Sequence, residues 1–432
     1  MLLKFKIRNF RSIKDEIVLD LQATADESMK SEAVFENDKV ALLKTVAIYG
    51  ANASGKTNIL KAFLAFRIMV LESLLRSNIP AALPAEFFKL SESTENKPSF
   101  FEISFLLEKD ILEYGFEINK QEIVKEWLKK QGSKFHLFER TGQSIDAKRF
   151  SDSTEELKKQ TRENVLFLSV LAANNKPLSK KIINFFQNTN LIFGAVRSNT
   201  LNYTFDKFLT EPNYTERVKK FIKEADLGVV DINANVRMIS LKEIRNIPDK
   251  FREALLKEDS KITERSLYLL HKKYDKNGKE IGLEPLNFFS ESSDGTQQLF
   301  ALSAPVLDTL ENGKILFIDE LEASLHPLLC QYLVLLFNSK VKNPNNAQII
   351  FTTHNTTLLS EELLRRDQIY FTEKDAVGAT KLFSLADISE RKNLNFAKRY
   401  LEGRYGALPY PLDLENIKAL RGGDDGEVSK QN

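Results

Sequence analysis

One short loop constrains this chain more than any other feature of its sequence. Residues 50–57 read Gly-Ala-Asn-Ala-Ser-Gly-Lys-Thr and match the pattern G-x-x-x-x-G-K-[ST] at every fixed position. The loop follows a short apolar run at 45–49 and precedes a helical apolar pattern over 56–76. A strand before the loop and a helix after it are the context in which such a loop binds nucleotide phosphates. The sequence therefore predicts a nucleotide-binding α/β fold.

The residue types of the loop explain the chemistry that it can support. Glycines allow a tight turn in which successive backbone N–H groups point at a phosphate, and the following helix adds its positive N-terminal end. Lys56 is predicted to reach the β- and γ-phosphates, and the Thr57 hydroxyl is predicted to bind Mg²⁺. The predicted nucleotide-binding residues of this segment are Gly50, Asn52, Ser54, Gly55, Lys56, Thr57 and Asn58.

A pair of acids ends a second apolar run. Four apolar residues at 315–318 are followed by Asp319 and Glu320. A strand of a parallel sheet that ends in acids delivers them to the edge where the phosphate loop also lies. We expect Asp319 to hold Mg²⁺ and Glu320 to act as the general base that polarises the attacking water.

Two histidines follow at positions that suit the same site. His354 comes at the end of the apolar run 348–351, where it can hydrogen-bond a γ-phosphate or the attacking water. His326 precedes Pro327, which suits the first turn of a helix, so His326 is either a site residue or a helix-start residue.

Residues 291–298, Glu-Ser-Ser-Asp-Gly-Thr-Gln-Gln, precede another apolar helical pattern. A capping serine and an open glycine backbone at a helix N-terminus can bind an anion, so Ser293 and Gly295 are candidate nucleotide contacts. The segment taken alone fits an ordinary helix cap equally well.

The pattern along the chain predicts an α/β layer that is split between the two ends. Alternating residues at 3–8 and 16–21 predict an antiparallel pair, and several short β-like runs lie within 99–139. A later series predicts helix 294–311, strand 314–318, helix 326–338, strand 347–352, helix 356–365 and strand 368–372. The predicted domains are 1–150 and 286–421 as the two parts of one α/β unit, 151–285 as a mainly helical insertion, and 422–432 as a disordered tail.

Composition excludes several classes of protein. The 432 residues include 62 Lys and Arg against 60 Asp and Glu, so the net charge of +2 does not suit a protein that coats nucleic acid. Cys330 is the one cysteine, which rules out an internal disulfide framework and disfavours a cysteine-based zinc site. No window reaches about 18 uncharged apolar residues, so we expect no membrane span and a cytoplasmic location.

Together these motifs resemble the ABC-type ATPase heads of the SMC, RecF and OLD (overcoming-lysogenisation-defect) group. Residues 9–13, Asn-Phe-Arg-Ser-Ile, are similar to the N-terminal strand–turn of that group. In its terms, 50–57 resembles Walker A, 293–296 the ABC signature, 319–320 Walker B, 324–327 the D-loop and His354 the switch histidine. The resemblance implies an ABC-ATPase head, that is, a parallel core sheet plus an antiparallel β subdomain, that binds ATP and Mg²⁺.

The chain resembles more closely the stand-alone AAA-type ATPases of bacterial phage-defence and abortive-infection loci, as in AbiL-like and PARIS-like systems. Segments 126–128, 137–140 and 400–409 carry this closer match. It implies ATP held between two heads, with Ser293 and Gly295 of one subunit facing the phosphate loop of another in a homodimer or higher oligomer. It also implies a nucleotide-driven switch or sensor scaffold that controls a partner effector from the same locus, often a small nuclease or RNA-cleaving toxin. Glu322 departs from the pattern, since relatives often have Asp there.

Two alternative functions stay open at this stage. An OLD-like ATP-dependent nuclease needs an acidic metal-binding domain after the ATPase, and the 78 residues after His354 are short for a domain of roughly 100 or more. Residues 371–375, Phe-Thr-Glu-Lys-Asp, could mimic its first acid, although a plain strand end is the preferred interpretation. A RecF-like DNA-repair ATPase would bind DNA through lysine clusters that fit solvated surfaces equally well. Those clusters are Lys219, Lys220 and Lys223, or Lys272 and Lys273.

Overall fold

The computed structural model describes residues 1–75, 83–194, 198–225, 228–240, 261–389 and 395–407. The predicted disordered tail, 422–432, lies outside these residues, as does the end of segment 400–409. No helix within the described ranges has both the length and the apolar character needed to cross a lipid bilayer.

The described residues form eighteen strands, numbered here in chain order. The first ten are β1 (Leu2–Arg8), β2 (Ile17–Asp20), β3 (Val34–Glu36), β4 (Ala41–Leu43), β5 (Thr45–Gly50), β6 (Ser99–Leu107), β7 (Asp110–Ile118), β8 (Ile123–Lys130), β9 (His136–Thr141) and β10 (Ser144–Asp146). The others are β11 (Thr189–Phe193), β12 (Asp231–Ser240), β13 (Lys261–Tyr274), β14 (Glu280–Asn287), β15 (Ile315–Asp319), β16 (Gln348–Thr352), β17 (Ile369–Lys374) and β18 (Thr380–Ser384).

The described helices are α1 (Lys30–Ala33), α2 (Lys56–Glu72), α3 (Glu92–Glu95), α4 (Glu155–Gln160), α5 (Phe167–Ala173), α6 (Pro177–Gln187), α7 (Ser198–Thr210), α8 (Pro212–Glu224), α9 (Phe288–Glu291), α10 (Asp294–Asn312), α11 (Pro327–Asn338) and α12 (Phe396–Leu401). Short 3-10 turns occur at Thr356–Leu358, Arg366–Gln368 and Leu385–Asp387.

A central six-stranded sheet carries the predicted nucleotide motifs. Its order is β11-β15-β16-β5-β17-β18, and every pair is parallel except β17 with β18. Every residue of β5, β15 and β16 is buried, as expected of strands that are covered on both faces. Their carboxyl ends therefore meet at one edge of the sheet, which is where the phosphate loop begins.

A second, seven-stranded sheet has the order β10-β9-β8-β7-β6-β1-β2, and its strands pair antiparallel. The predicted pair at 3–8 and 16–21 is confirmed as β1 and β2, and the β-like runs within 99–139 are β6 to β9. The predicted α/β class, a parallel core sheet with an antiparallel β subdomain, is confirmed. Two smaller antiparallel sheets consist of β3 with β4 and of β12, β13 and β14.

Helix α2, which follows the phosphate loop, packs between the two large sheets. The Phe63 ring stacks on Phe317 of β15 with centroids 4.1 Å apart, and the Phe66 ring stacks on Phe116 of β7 at 5.0 Å. Both phenylalanines of the helix are fully buried. Because each buried phenylalanine contributes about 1.5–3 kcal/mol, this packing fixes the helix against both sheets.

The segment 151–285 contributes to the central sheet as well as carrying helices. Helices α4 to α8 lie within it, as the sequence predicts, and the strand-like runs expected near 228–240, 265–274 and 279–284 correspond to β12, β13 and β14, which form their own sheet. Strand β11, which the sequence pattern does not predict, pairs in parallel with β15 of the central sheet. Strand β11 has only five residues and a mixed burial pattern, so it gives no clear strand signal. The predicted domain boundaries stay a prediction.

The predicted helix at 356–365 is wrong. The chain forms the 3-10 turn Thr356–Leu358 and then irregular turns up to Arg365. The Asn355 side chain accepts from Thr357 N, and the Asn338 amide donates to the Leu363 carbonyl at 2.9 Å. These side chains satisfy backbone groups that helix bonds would otherwise satisfy, so the buried leucines pack without a regular helix.

Candidate functional site

The phosphate loop has the backbone that its glycines permit. Gly50 ends β5 with φ +154°, and Gly55 caps α2 with φ +110°. A Cβ on Gly50 would lie 2.5 Å from the Thr372 carbonyl oxygen, and a Cβ on Gly55 would overlap the Thr380 side chain. Both positions therefore need glycine for its conformation and for its lack of a side chain. Asn52 lies exposed at the tip of the loop.

The Lys56 side chain lies against the phosphate loop, at the start of helix α2. Its side chain is 6% exposed, and Nζ donates to the carbonyls of Gly50 at 2.9 Å and Ala51 at 3.1 Å. Burial lowers the pKa of Lys56 to about 8. The negative charges of Glu322, Asp319 and Glu320, in that order of effect, oppose this shift. The ammonium form still predominates at pH 7, so the loop contains a positive charge that can meet phosphate oxygens.

The two predicted Mg²⁺ ligands lie within hydrogen-bonding distance of each other. Thr57 Oγ1 donates to Asp319 Oδ1 at 3.0 Å. The same carboxylate oxygen accepts from Thr352 Oγ1 at 2.7 Å, and Asp319 is 7% exposed. A hydroxyl and a carboxylate are the hard oxygen donors that Mg²⁺ prefers, so the residues present fit this ion.

Glu320 lies at the tip of the strand that delivers Asp319. It is exposed and has φ +56°, a conformation that is uncommon for residues other than glycine. Its backbone N donates to Thr352 Oγ1 at 2.8 Å. The single Thr352 hydroxyl thus contacts both predicted acids, and it holds the turn of β15 against the end of β16.

His354 lies close enough to this cluster for its charges to affect the pKa of the imidazole. Desolvation and then the Lys56 ammonium lower the pKa of His354, while Glu322, Glu320 and Asp319 oppose the shift. The neutral imidazole is therefore favoured at pH 7, and it can both donate and accept a hydrogen bond. His326, in contrast, caps α11, and its Nδ1 accepts from Leu328 N at 3.3 Å.

The structure places Ser293 and Gly295 at the start of α10. Ser293 Oγ accepts from Thr296 N at 3.2 Å, which is a helix cap, and a Cβ on Gly295 would lie 2.7 Å from the Ser324 carbonyl oxygen. In the part of the chain that the structure describes, no hydrogen bond joins Ser293 to the phosphate loop. The roles of both residues in nucleotide binding stay a prediction.

Three residues with hydroxyl groups around the loop, Ser12, Thr372 and Thr380, are not among the predicted site residues. The Asn58 amide donates to Ser12 Oγ at 2.7 Å, and Ser12 Oγ lies 2.8 Å from Thr380 Oγ1. Thr380 Oγ1 donates to the Ser54 carbonyl at 2.8 Å, while Ser54 Oγ lies 2.6 Å from Thr372 Oγ1. Ser12 lies in the Asn-Phe-Arg-Ser-Ile segment, which is the one available sequence signal for this network.

Among solved structures, the chain is similar to the recombination mediator protein RecF and to an ABC transporter component. The RecF structure with ATPrS has a TM-score of 0.33 and 12% identity, over 89% of this chain and 98% of RecF. The RecF structure with ATP has a TM-score of 0.34 and 14% identity, over 89% of this chain and 99% of RecF. For cbiO1 from Clostridium perfringens, part of the transporter complex cbiONQ, the TM-score is 0.32 and the identity 10%, over 98% of this chain and 100% of the other. A search of curated proteins found no match.

A family of protein sequences matches most of the chain. Its description is "AAA domain, putative AbiEii toxin, Type IV TA system", and the match covers residues 46–360. This range includes the phosphate loop, the acid pair, the Ser293 segment and His354. The chain therefore belongs to this family of AAA-type ATPases.

Proposed function

We propose that this chain binds ATP with Mg²⁺ and hydrolyses it at the edge of the central sheet. One observation carries the proposal. Thr57 of the phosphate loop and Asp319 of β15 are 262 positions apart in sequence, and their side chains are joined by a 3.0 Å hydrogen bond. Since Lys56 and Glu320 are the immediate neighbours of these two residues, groups for binding phosphate, metal and water come together at one place.

Each residue has a distinct part in this proposal. The backbone N–H groups of Gly50–Thr57 and the Lys56 ammonium bind the phosphates, with Asn52, Ser54 and Asn58 completing the loop. Thr57 and Asp319 hold Mg²⁺, which neutralises charge on the phosphate oxygens when it is bound. Glu320 accepts a proton from the attacking water, and His354 hydrogen-bonds the γ-phosphate or that water.

Replacing Lys56 with Ala tests the phosphate site. Loss of a charge-assisted hydrogen bond of roughly 1.5–3 kcal/mol is expected to weaken ATP binding by about tenfold to a hundredfold. Equilibrium binding of a fluorescent ATP analogue and steady-state phosphate release measure the effect. Lys61→Ala, a change on the same helix, is the control and should behave as wild type. Unchanged binding and turnover in Lys56→Ala would refute the assignment.

We also propose that ATP is held between two copies of the chain. Ser293 is exposed at the N-terminus of the 19-residue helix α10, where backbone N–H groups and the helix dipole favour an anion. Its position on the surface supports contact with a phosphate bound to another subunit. Hydrolysis would then require a homodimer or a higher oligomer.

Mixing two variants that each hydrolyse ATP poorly, at an ATP concentration too low to saturate Lys56→Ala, tests this composite site. Lys56→Ala and Ser293→Arg damage opposite sides of the proposed site, so a mixed dimer keeps one intact site. Random pairing in a symmetric dimer is expected to restore about a quarter of the wild-type rate of phosphate release. Mixing Lys56→Ala with Glu320→Gln, which damage the same side, is the matched control and should restore nothing. An inactive Lys56→Ala and Ser293→Arg mixture would contradict the shared site.

The proposed biological role is an antiphage switch or sensor scaffold whose nucleotide state controls a partner effector. The family description, which names an AbiEii toxin and a type IV toxin–antitoxin system, supports this role. The partner of this proposal is a small nuclease or an RNA-cleaving toxin encoded in the same locus. The neighbouring genes provide the test, because a toxin-like gene supports defence whereas replication genes favour DNA repair.

Contacts of the described residues support this role over the two alternatives. Each of the five lysines in the two clusters considered for DNA binding lies in an ion pair. Lys219 and Lys223 pair with Asp231, Lys220 with Glu224, Lys272 with Glu280 and Lys273 with Glu284. In the segment 371–375, considered for a nuclease centre but with a plain strand end as the preferred interpretation, Asp375 accepts from the backbone N of Val377 and Ala379 in a tight turn.

A further inference from the structure

Glu322 occupies an unusual position beside the proposed site. One of its oxygens, Oε1, accepts a hydrogen bond from the backbone N of His354 at 2.5 Å. The other, Oε2, is buried and has no hydrogen-bond partner among the described residues. A buried carboxylate oxygen without a partner costs free energy, so the stability of the fold alone does not account for it.

The hydrogen bond from His354 completes a connection between two loops. Leu321 N donates to the Thr352 carbonyl at 3.0 Å, and Glu320 N donates to the Thr352 hydroxyl at 2.8 Å. These bonds join the turn after β15 to the end of β16, and Glu322 extends the connection two residues further, to His354. Three hydrogen bonds thereby join the loop of Glu320, the proposed general base, to the loop of His354, although β15 and β16 end 33 residues apart.

The charge of Glu322 also shifts the pKa of other groups at and behind the site. Among the acids that favour the ammonium form of Lys56 and so raise its pKa, Glu322 has a larger effect than Asp319 or Glu320. Burial, and after it the charge of Glu322, raises the pKa of Tyr49 and of Cys330, which lie in the interior behind the site. The Glu322 carboxylate therefore affects the phosphate-binding lysine as well as two groups of the protein core.

We propose that Glu322 is a positioning residue for ATP hydrolysis, which acts by holding His354 in register with Glu320. The inference rests on the proposed function, because it concerns the same reaction. It assigns to Glu322 no contact with ATP and no proton transfer. Its effect passes through the His354 backbone, so removing the carboxylate should slow the chemical step and leave the nucleotide-binding loop intact.

Four variants test this assignment: Glu322→Ala, Glu322→Gln, His354→Ala and the double variant Glu322→Ala with His354→Ala. Misplacement of a catalytic group by about 1 Å can cost up to about a hundredfold, so Glu322→Ala is expected to lower kcat by about tenfold to a hundredfold. The KM for ATP should change by less than kcat does, since no hydrogen bond joins Glu322 to residues 50–57 among the described residues, and loss of its charge reaches binding only by lowering the pKa of Lys56. Glu322→Gln keeps an oxygen that can accept the His354 N–H, so it should recover most of the rate.

The double variant separates positioning from general damage to the fold. If Glu322 acts through His354, adding Glu322→Ala to His354→Ala should cause no further loss, because effects of residues that act as a unit are not additive. Thermal unfolding of each variant and the exposed Glu362→Ala as a control exclude a loss of folded protein. A wild-type kcat in Glu322→Ala, additive losses in the double variant, or an unaffected His354→Ala would each overturn the inference. A wild-type chain without ATP turnover would instead overturn the proposed function.

Discussion

Replacing Glu320 with Gln is expected to lower the kcat for ATP hydrolysis by about a hundredfold or more while ATP still binds. A general base contributes about 10²–10⁴-fold, and glutamine keeps the shape of the side chain but cannot accept the proton. Glu320 is exposed at the tip of β15, next to the proposed Mg²⁺ ligand, and does not itself support the phosphate loop. Phosphate release measured with saturating ATP, together with equilibrium nucleotide binding, separates the two effects.

Asp319→Asn is the informative companion to Glu320→Gln. Asp319 accepts hydrogen bonds from both Thr57 and Thr352, so its loss should weaken Mg²⁺-dependent ATP binding as well as turnover. The two neighbouring acids are thus expected to give different results. Glu320→Gln should slow the chemical step, whereas Asp319→Asn should also weaken ATP binding. Hydrolysis at the wild-type rate in Glu320→Gln would remove Glu320 from the role of general base.

The parts of the site that follow from sequence are those that a short segment defines by itself. The phosphate loop needs its glycines, lysine and threonine at fixed spacing, and the acids 319–320 follow directly on four buried apolar residues. Because parallel strands end at a common edge, these local patterns also predict that the groups meet. The structure brings Thr57 and Asp319 together as that argument requires.

The parts that do not follow depend on contacts between distant segments. Thr352 contacts both predicted acids, yet a threonine at the end of a strand is too common to be singled out. Ser12 and Thr380 meet at the phosphate loop across 368 positions, which no local pattern encodes. The prediction of a helix at 356–365 is wrong for the same reason. The side-chain amide of Asn338, from another segment, bonds a carbonyl that a helix would have bonded to its own backbone. Tertiary contacts here override local propensity.

A buried ion pair in the antiparallel sheet is a further feature that only the structure explains. Glu126 of β8 and Arg140 of β9 are both 0% exposed, with Nη1 and Oε2 3.7 Å apart. Glu126 also accepts from Tyr114 Oη and from the backbone N of Phe167 and Leu168. Arg140 donates to the carbonyls of Val165 at 2.6 Å and Gly142 at 2.7 Å. The pair therefore fastens the start of α5 to the sheet.

Replacing Arg140 with Met is expected to lower the free energy of unfolding by about 3–5 kcal/mol, because Glu126 is then a buried charge without its cation. Burial raises the pKa of Glu126, and the charge of Arg140 opposes this shift. Without Arg140, the acid is therefore still harder to ionise. Urea unfolding followed by circular dichroism measures the loss. Adding Glu126→Gln should restore part of it, since that change removes the charge left behind. Lys130→Met, which breaks the exposed pair with Asp110, is the control and should cost less than about 1 kcal/mol. An Arg140→Met variant no less stable than this control would show that Arg140 is not needed to hold α5 to the sheet.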